Sequence, residues 1–262
     1  MDARIAAPDC IRTAIEGYLW TQSTDGKSGA TVCRLDSRDQ AGLYLKFGSG
    51  KVANDIIAEM VRLQWLATFV PVPQIRQFFY SEDQAWLLTT AIPGQSAYDC
   101  LLSDPAGRPE IVKALAEFLR RLHSLPLLEC PFNSDHDLRM VDARRNIESS
   151  QVDESDFGPE HEGWTAEQVW AEMQALLPLS FDRVVTHGDF SLDNILLQNG
   201  RVTGCMDVDR AGVADQYQDL AILWNNLEEF GGDLQTCLFK AYGIEDPDTR
   251  KVQYHLCLDE FF

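Results

Sequence analysis

The sequence is poor in positive charge. It has 22 Lys and Arg against 41 Asp and Glu in 262 residues, a formal net charge of -19 at pH 7. A surface of that sign repels phosphate backbones and attracts cations. The charge therefore argues against nucleic acid as a partner. The negative charge suits a polycationic small molecule as a partner. An excess of acidic residues can also simply keep a protein soluble.

Long apolar runs and closely spaced cysteine pairs are also missing. No run is long enough to cross a bilayer, and the first twenty residues carry Asp2, Asp9 and Glu16 instead of the apolar core of a signal peptide. The seven cysteines are scattered, odd in number and never spaced as C-x-x-C, which indicates reduced thiols and neither zinc nor a disulfide framework. We expect a cytoplasmic protein without a membrane partner, of undetermined oligomeric state.

Two common catalytic motifs are absent. Residues 26–28 and 50–51 look like the end of a phosphate-binding P-loop, but the glycine required five residues before the lysine is missing from both. There is no G-x-S-x-G motif either, which argues against a serine hydrolase.

The first third of the chain has the pattern of strands. Residues 30–35 and 43–47 alternate apolar and polar side chains around a polar turn, which predicts a hairpin. Lys46 should project from the face opposite the apolar side chains of its strand. Helical spacing over residues 53–69 predicts a helix whose apolar stripe is bordered by Glu59.

The pattern changes at Pro93-Gly94. Residues 110–124 have the spacing of an amphipathic helix, and Thr165 to Gln168 form a capping box that opens another. We therefore expect an α+β protein with a small β-rich part at residues 1–92 and a larger, mainly helical part at residues 93–262.

The richest stretch for chemistry is the aspartate-containing segment 186–212. Asn199-Gly200 is a strong hairpin signal, and folding about it brings Asp207 within roughly 5 to 8 Å of Asn194. Asp189 should face the same spot from one loop earlier. Carboxylate and amide oxygens suit Mg²⁺, which keeps positions open for water and phosphate oxygens. The segment therefore predicts a magnesium site with Asn194 and Asp207 as ligands.

The segment H-G-D-x-x-x-x-N at residues 187–194, with an Asp thirteen residues later, resembles the catalytic segment of the protein-kinase-like fold in its antibiotic-kinase form. Lys46 and Glu59 match the ion pair of that fold. The strings GRVTG, GVADQYQDLA and LDEFF look like those of aminoglycoside 3′-phosphotransferases, and the resemblance runs from about residue 23 to the last residue. It implies a two-lobed fold, with nucleotide bound by the N-terminal lobe.

The resemblance implies a role for each matching residue. Asp189 would accept the proton of the attacking sugar hydroxyl, Asn194 and Asp207 would bind Mg²⁺, and Asp219 would support the catalytic loop. The residues implied in binding ATP are Ser28, Lys46 with its partner Glu59, and a hinge formed by Thr90, Ala91 and Ile92.

The resemblance also implies an anionic site for the aminoglycoside. Asp259, Glu260 and the terminal carboxylate would lie at a helix C-terminus, where negative charge is unfavourable and a cationic guest would relieve it. The implied substrate-binding residues are Asp156, Glu160, Asp189, Arg210, Glu228, Glu229, Asp259, Glu260 and Phe262, with one of the two adjacent glutamates expected to contribute.

Two positions depart from the pattern of the family. Asp209 stands where a glycine is usual, which adds a carboxylate near the predicted metal site and removes backbone freedom. Asn225-Asn226 stands where some relatives carry Arg-Asp. The accepted range of antibiotics is therefore open.

The leading hypothesis is an ATP-dependent kinase that phosphorylates the 3′-hydroxyl of kanamycin-like aminoglycosides and confers resistance. One alternative keeps the fold and uses another small alcohol, such as choline. A second is a metal-dependent hydrolase built on His187, Asp189, Asp207 and Asp209, which would leave Lys46 and Glu59 without a role. A third is a sensor that binds ATP without turnover, against which the intact Asp189 argues.

Overall fold

The computed structural model describes residues 7–23, 29–177 and 179–262. They form two compact units. The first contains the described residues up to Gly94 together with Thr203–Arg210, and the second contains Gln95–Val202 and Ala211–Phe262. None of the helices in these ranges combines the length and apolar character needed to cross a membrane.

The first unit is built on a five-stranded antiparallel sheet with the order β1-β2-β3-β5-β4. Ile11 from a short helix packs with Leu35, Leu45 and Leu88 of the sheet to form its core. The elements are α1 Asp9–Ala14, β1 Leu19–Gln22, β2 Thr31–Asp36, β3 Leu43–Ser49, α2 Lys51–Leu66, β4 Ile75–Ser81 and β5 Gln84–Thr90.

The predicted hairpin is confirmed, because β2 and β3 pair antiparallel with Cys33 opposite Leu45. The predicted helix at residues 53–69 begins and ends earlier, at Lys51 and Leu66. Beyond it the backbone closes tighter turns, with the N–H of Phe69 donating to the carbonyl of Leu66 at 2.8 Å. Such turns are common where a helix ends before a proline, here Pro71.

Residues 203–210 belong to the first unit although they follow most of the second in sequence. The N–H of Cys205 donates to the carbonyl of Pro71 at 3.1 Å. The hydroxyl of Thr203 donates to the carbonyl of Pro93 at 2.6 Å. A single boundary after residue 92 therefore does not separate the two compact units, because Asp207 belongs to the first unit. The nucleotide-binding role assigned to residues 1–92 stays a prediction.

A buried ion pair joins β3 to α2. Glu59 does not border the apolar stripe of α2 but lies within it, beside Ile56 and Leu63, and is only 6% exposed. Lys46 Nζ lies 2.8 Å from Glu59 Oε2 and 2.6 Å from Asp207 Oδ1. Burial raises the pKa of Glu59 to about 7, against the influence of Lys46. Burial disfavours the charged ammonium, but the two carboxylates together raise the pKa of Lys46.

The second unit is mainly helical. Its α4 packs against α8, and α9 packs against α6 and α7. Two small sheets complete it: β7 pairs with β10, and β8 pairs with both β6 and β9. The elements are β6 Gln95–Ser96, α3 Ala97–Ser103, α4 Arg108–His123, α5 His136–Glu148, α6 Ala166–Ala175, β7 Arg183–Thr186, β8 Ile195–Gln198, β9 Arg201–Cys205, which continues into the first unit, β10 Gly212–Asp215, α7 Tyr217–Asn226, α8 Gly232–Tyr242 and α9 Thr249–Asp259, with 3-10 turns at Leu127–Glu129, Pro159–His161 and Glu228–Phe230.

Local sequence rules predict several features of this unit correctly. The Thr165 side chain caps α6, and Gln168 returns the bond, which confirms the capping box. Asn199 and Gly200 have φ values of 53° and 71°, as a type I′ turn requires. The amphipathic helix predicted at residues 110–124 is observed at Arg108–His123.

We expect Lys46→Met to make stability depend more strongly on pH. Glu59 then keeps its buried position without its cation, so its pKa in the folded state rises further above the unfolded value of about 4.3. The folded state then binds the proton of the Glu59 carboxyl more tightly than the unfolded state does. The free energy of unfolding therefore falls as the pH rises from the pKa of Glu59 in the unfolded state through its pKa in the folded state. The loss in free energy of unfolding, measured with urea, should be larger at pH 8 than at pH 5.5.

The double variant Lys46→Met with Glu59→Gln is the matched control, since it removes the titrating carboxylate. Its loss relative to the wild type should be smaller at pH 8 than that of the single variant. An equal loss at both pH values in Lys46→Met would contradict this account of the pair.

Candidate active site

A buried carboxylate anchors the loop that follows β7. Asp219 on α7 is fully buried and accepts hydrogen bonds from the backbone N–H groups of His187 at 2.7 Å and Gly188 at 2.8 Å. Its Oδ2 also lies 3.0 Å from Nε2 of His123 on α4. Burial acts to raise the pKa of Asp219, but the interactions with His123 and His187 lower it below its usual range. The carboxylate therefore stays charged and holds the loop backbone.

Two further side chains of α7 hold the same loop. Gln218 Nε2 donates to the carbonyl of Gly188 at 3.2 Å, and Asn226 Oδ1 accepts from the N–H of Leu192 at 3.0 Å. Gly188 has a φ of 92°, a backbone conformation that favours glycine. Sequence reasoning missed the positioning roles of Gln218 and Asn226. The polar residues flanking the apolar run of α7 were the only available signal.

The loop brings Asp189 and Asn194 together. Asn194 Nδ2 donates to Asp189 Oδ2 at 3.1 Å and to the Asp189 carbonyl at 3.0 Å. These bonds fix the direction of the carboxylate. They also turn the amide oxygen of Asn194 away from Asp189, which leaves an oxygen ligand on a side chain only 7% exposed.

In the first unit, Lys46, Glu59 and Asp207 form the second group of predicted site residues that lie together. Asp207 has a φ of 53°, in the left-handed region that few residues other than glycine adopt, although aspartate tolerates it better than most. This backbone directs the carboxylate toward the Lys46 ammonium, so the ammonium is held between two carboxylates at hydrogen-bonding distance.

The unusual Asp209 lies close to another carboxylate of the first unit. Burial raises the pKa of Asp55 on α2, and the charge of Asp209 acts in the same direction. The charge of Arg210, a predicted substrate-binding residue, opposes both effects. The substitution of the usual glycine therefore adds negative charge beside α2.

The predicted hinge follows β5. Thr90 exchanges two hydrogen bonds with Gln74, each 2.9 Å long, and the N–H of Ala91 donates to the carbonyl of Gly42 at 2.9 Å. The N–H of Ile92, in contrast, has no hydrogen-bond acceptor among the described residues. Among the backbone N–H groups of Thr90, Ala91 and Ile92, the N–H of Ile92 is therefore the one that can donate to a ligand. Ser28, the other predicted nucleotide contact, lies outside the described residues.

The C-terminal residues are fixed to the second unit. Phe261 is 1% exposed, its ring packs on Trp170, and its carbonyl accepts a 2.9 Å hydrogen bond from Asn146. The expected terminal helix is therefore present as α9, and the residues that follow it are held by packing and hydrogen bonding.

The acidic tail, residues 259–262, has cationic partners that sequence reasoning missed. Arg139 on α5 lies 3.3 Å from Asp259 Oδ1, and its guanidinium stacks 4.7 Å from the Phe262 ring centre. Glu260 accepts from the backbone N–H of Gly158 and pairs with His161 Nδ1, both at 3.0 Å. These groups offset part of the negative charge at the helix C-terminus.

The remaining predicted substrate residues of the second unit are more exposed. Glu160 Oε2 accepts from Gln253 of α9 at 3.2 Å. In the adjacent pair 228–229, Glu229 Oε1 accepts from the hydroxyl of Tyr98 at 2.9 Å. Asp156 lies in the loop between α5 and α6, where its side chain is exposed.

Comparison with known proteins agrees with this geometry. A family model described as the phosphotransferase enzyme family matches residues 20–255. The chain is 55% identical over 247 residues to an aminoglycoside 3′-phosphotransferase from Escherichia coli, with 94% of this chain and 91% of the relative covered.

Solved structures give the same result. The structure of an aminoglycoside 3′-phosphotransferase of type VIII matches with a TM-score of 0.86 and 31% identity, covering 100% of both chains. Aminoglycoside phosphotransferase APH(3'')-Id from Streptomyces rimosus, solved with ADP and streptomycin, matches with a TM-score of 0.80 and 26% identity, covering 96% of this chain and 95% of the other. These matches confirm the α+β, kinase-like fold class, and the chain therefore belongs to the phosphotransferase enzyme family.

Proposed function

We propose that this protein is an ATP-dependent kinase that phosphorylates the 3′-hydroxyl of kanamycin-like aminoglycosides and thereby confers resistance. The observation that carries the proposal is the hydrogen-bonded pair of Asp189 and Asn194 on a loop fixed by Asp219. The similarity along the whole chain to aminoglycoside 3′-phosphotransferases supports the same activity.

The chemistry needs positioning more than a perturbed acid or base. The transferred phosphoryl group passes through a loose transition state, so alignment and neutralisation of charge account for most of the catalysis. Asp189 accepts a hydrogen bond from the sugar hydroxyl and takes its proton as the hydroxyl oxygen bonds to the γ-phosphorus and ADP leaves. Its carboxylate must lie within hydrogen-bond reach of the hydroxyl, and the bond from Asn194 holds it in one orientation.

The nucleotide would bind through the first unit. Lys46 supplies the positive charge for the ATP phosphates, and Glu59 keeps the ammonium directed while the phosphates replace part of its contact with Asp207. The N–H of Ile92 is the hinge donor available to the edge of adenine. The relative solved with ADP supports a nucleotide of this type.

The residues also fit Mg²⁺. Asp207 and Asn194 offer a carboxylate and an amide oxygen, the hard donors that this ion takes alongside substrate phosphates. When bound, Mg²⁺ neutralises charge on the phosphates. Asp209 adds a further carboxylate in the same segment.

The aminoglycoside would bind through its ammonium groups. The proposed contacts are Asp156, Glu160, Asp189, Arg210, Glu228 or Glu229, Asp259, Glu260 and Phe262. Of the adjacent glutamates, the bond from Tyr98 favours Glu229, since it orders that side chain. A choline-like alcohol carries a single cation and would contact few of these carboxylates. We place the enzyme in the cytoplasm, where the drug reaches its target.

ADP release with kanamycin, amikacin, choline and no acceptor tests the proposed function. Kanamycin should stimulate release and choline should not. Asp189→Asn should lower the kanamycin-dependent rate by roughly 10² to 10⁴, and Asp39→Asn in an exposed turn should not change it. Kanamycin that gives no stimulation above the rate without acceptor would refute the assignment.

Asp259→Asn should raise the KM for kanamycin more than it lowers kcat. A hydrogen bond between charged groups contributes about 1.5 to 3 kcal/mol, so the KM should rise by roughly 10- to 100-fold. The carboxylate of Glu167, exposed and paired with Arg144, provides the control variant Glu167→Gln, with unchanged kinetics. An unchanged KM in Asp259→Asn would remove the tail from the binding site.

A further inference from the structure

Three side chains with the chemistry of metal ligands meet in the second unit, beside the C-terminal tail. They are His161 from the 3-10 turn at Pro159–His161, Glu172 from α6 and Cys257 from α9. One ligand atom from each lies within 4.8 Å of the other two. His161 is 3% exposed and Cys257 is fully buried, whereas the Glu172 side chain remains 32% exposed. The cluster therefore opens to solvent on the glutamate side.

The distances are close to those around a tetrahedral zinc ion. With bond lengths of about 2.0 to 2.1 Å to nitrogen or oxygen and 2.3 Å to sulfur, the ligand atoms would be roughly 3.3 Å apart for nitrogen and oxygen and 3.6 Å for nitrogen and sulfur. His161 Nε2 lies 3.4 Å from Glu172 Oε2 and 3.9 Å from Cys257 Sγ. Both distances are within a few tenths of an ångström of these values, and the third, between Cys257 Sγ and the Glu172 carboxylate, is at most 4.8 Å.

We propose that His161, Glu172 and Cys257 bind zinc or a closely similar transition-metal ion. The imidazole and thiolate donors favour such an ion over Mg²⁺ or Ca²⁺, which take oxygen ligands. The metal replaces the thiol proton of Cys257, which leaves to solvent as the metal-sulfur bond forms. None of these three residues belongs to the magnesium site proposed for the nucleotide.

The surroundings of the cluster complete the coordination. Gln253 Nε2 lies 3.2 Å from Glu160 Oε2 and 3.3 Å from Glu172 Oε1, so both carboxylates approach the same amide. Glu160, next to His161 in sequence and exposed, can turn from the amide and supply a fourth ligand. Metal binding would then withdraw Glu160 from the aminoglycoside.

Glu260 would act as the outer partner of the site. It lies 3.0 Å from His161 Nδ1, so the proton on that nitrogen is donated to the carboxylate and Nε2 is left to bind the metal. Carboxylates commonly orient metal-bound histidines in this way. The ion would thus join the 3-10 turn, α6 and α9, and would fix a residue of the proposed drug-binding tail.

The same contacts have a metal-free explanation, in which protonated His161 lies as a cation between Glu172 and Glu260. The two explanations differ in the state of Cys257. A metal requires a thiolate ligand, and an ion pair leaves the thiol uninvolved.

Co²⁺ titration of the full-length, metal-free protein without nucleotide distinguishes them. A thiolate-to-cobalt charge-transfer band in the near ultraviolet should saturate at one ion per chain. Cys257→Ser should abolish the band, and Glu172→Gln should weaken Co²⁺ binding at least tenfold, since even outer partners of metal ligands contribute about 10- to 100-fold. Cys10→Ser removes an exposed thiol of the first unit. This control should change neither the charge-transfer band nor the affinity for Co²⁺.

Absence of the band, or a band that survives both Cys257→Ser and Glu172→Gln, would overturn the proposal in favour of the ion pair. Glu172→Gln keeps the test valid if the buried serine prevents folding, because the Glu172 side chain is partly exposed. At the same concentration, Zn²⁺ should also raise the Tm of the wild type more than that of Glu172→Gln. These readouts need neither ATP nor antibiotic, so their failure would leave the proposed kinase activity untouched.

Discussion

The candidate catalytic loop depends on one buried carboxylate, Asp219. Removing an ionised carboxylate from water is costly unless hydrogen bonds satisfy it. The N–H groups of His187 and Gly188 and the ring of His123 do so, and bonds to charged acceptors are stronger than neutral ones. His123 is itself hydrogen-bonded to Tyr242 on α8 at 2.7 Å. The backbone preceding Asp189 is therefore tied to helices of the core and does not rely on local turn preferences.

The same principle organises the charge elsewhere in this strongly acidic chain. Carboxylates that are buried, such as Glu59, have an internal cation or backbone donors. Those assigned to the drug are more exposed and only partly neutralised, as Asp259 is by Arg139. In the proposed complex, an incoming ammonium group would compete with the protein's own guanidinium at Asp259. This competition would limit the affinity gained from each contact and would make binding sensitive to salt.

Much of the fold follows from local patterns in the sequence. The capping box at Thr165 and the turn at Asn199-Gly200 each depend on residues close in sequence, so simple geometric rules suffice. The prediction for Glu59 was less accurate. Spacing shows which residues share a helix face, but it does not show that Lys46, from another element, allows a carboxylate to lie inside the buried apolar face.

The contacts that sequence reasoning missed join distant segments. Lys46 and Asp207 are 161 residues apart, and only the resemblance to a known family connected them. Arg139 and Asp259 are 120 residues apart, and His161 and Cys257 are 96 apart. The scattered cysteines gave no signal for the proposed zinc site, because spacing rules detect only ligands that are close in the chain.

The kinetics of Asp219→Asn test the central claim most directly. The substitution preserves shape but removes the charge that holds the loop backbone. If this carboxylate positions Asp189, kcat for kanamycin phosphorylation should fall at least about tenfold, equivalent to 1.4 kcal/mol, while the KM for kanamycin changes little because the tail is untouched. A folded variant with the kcat of the wild type would contradict the account.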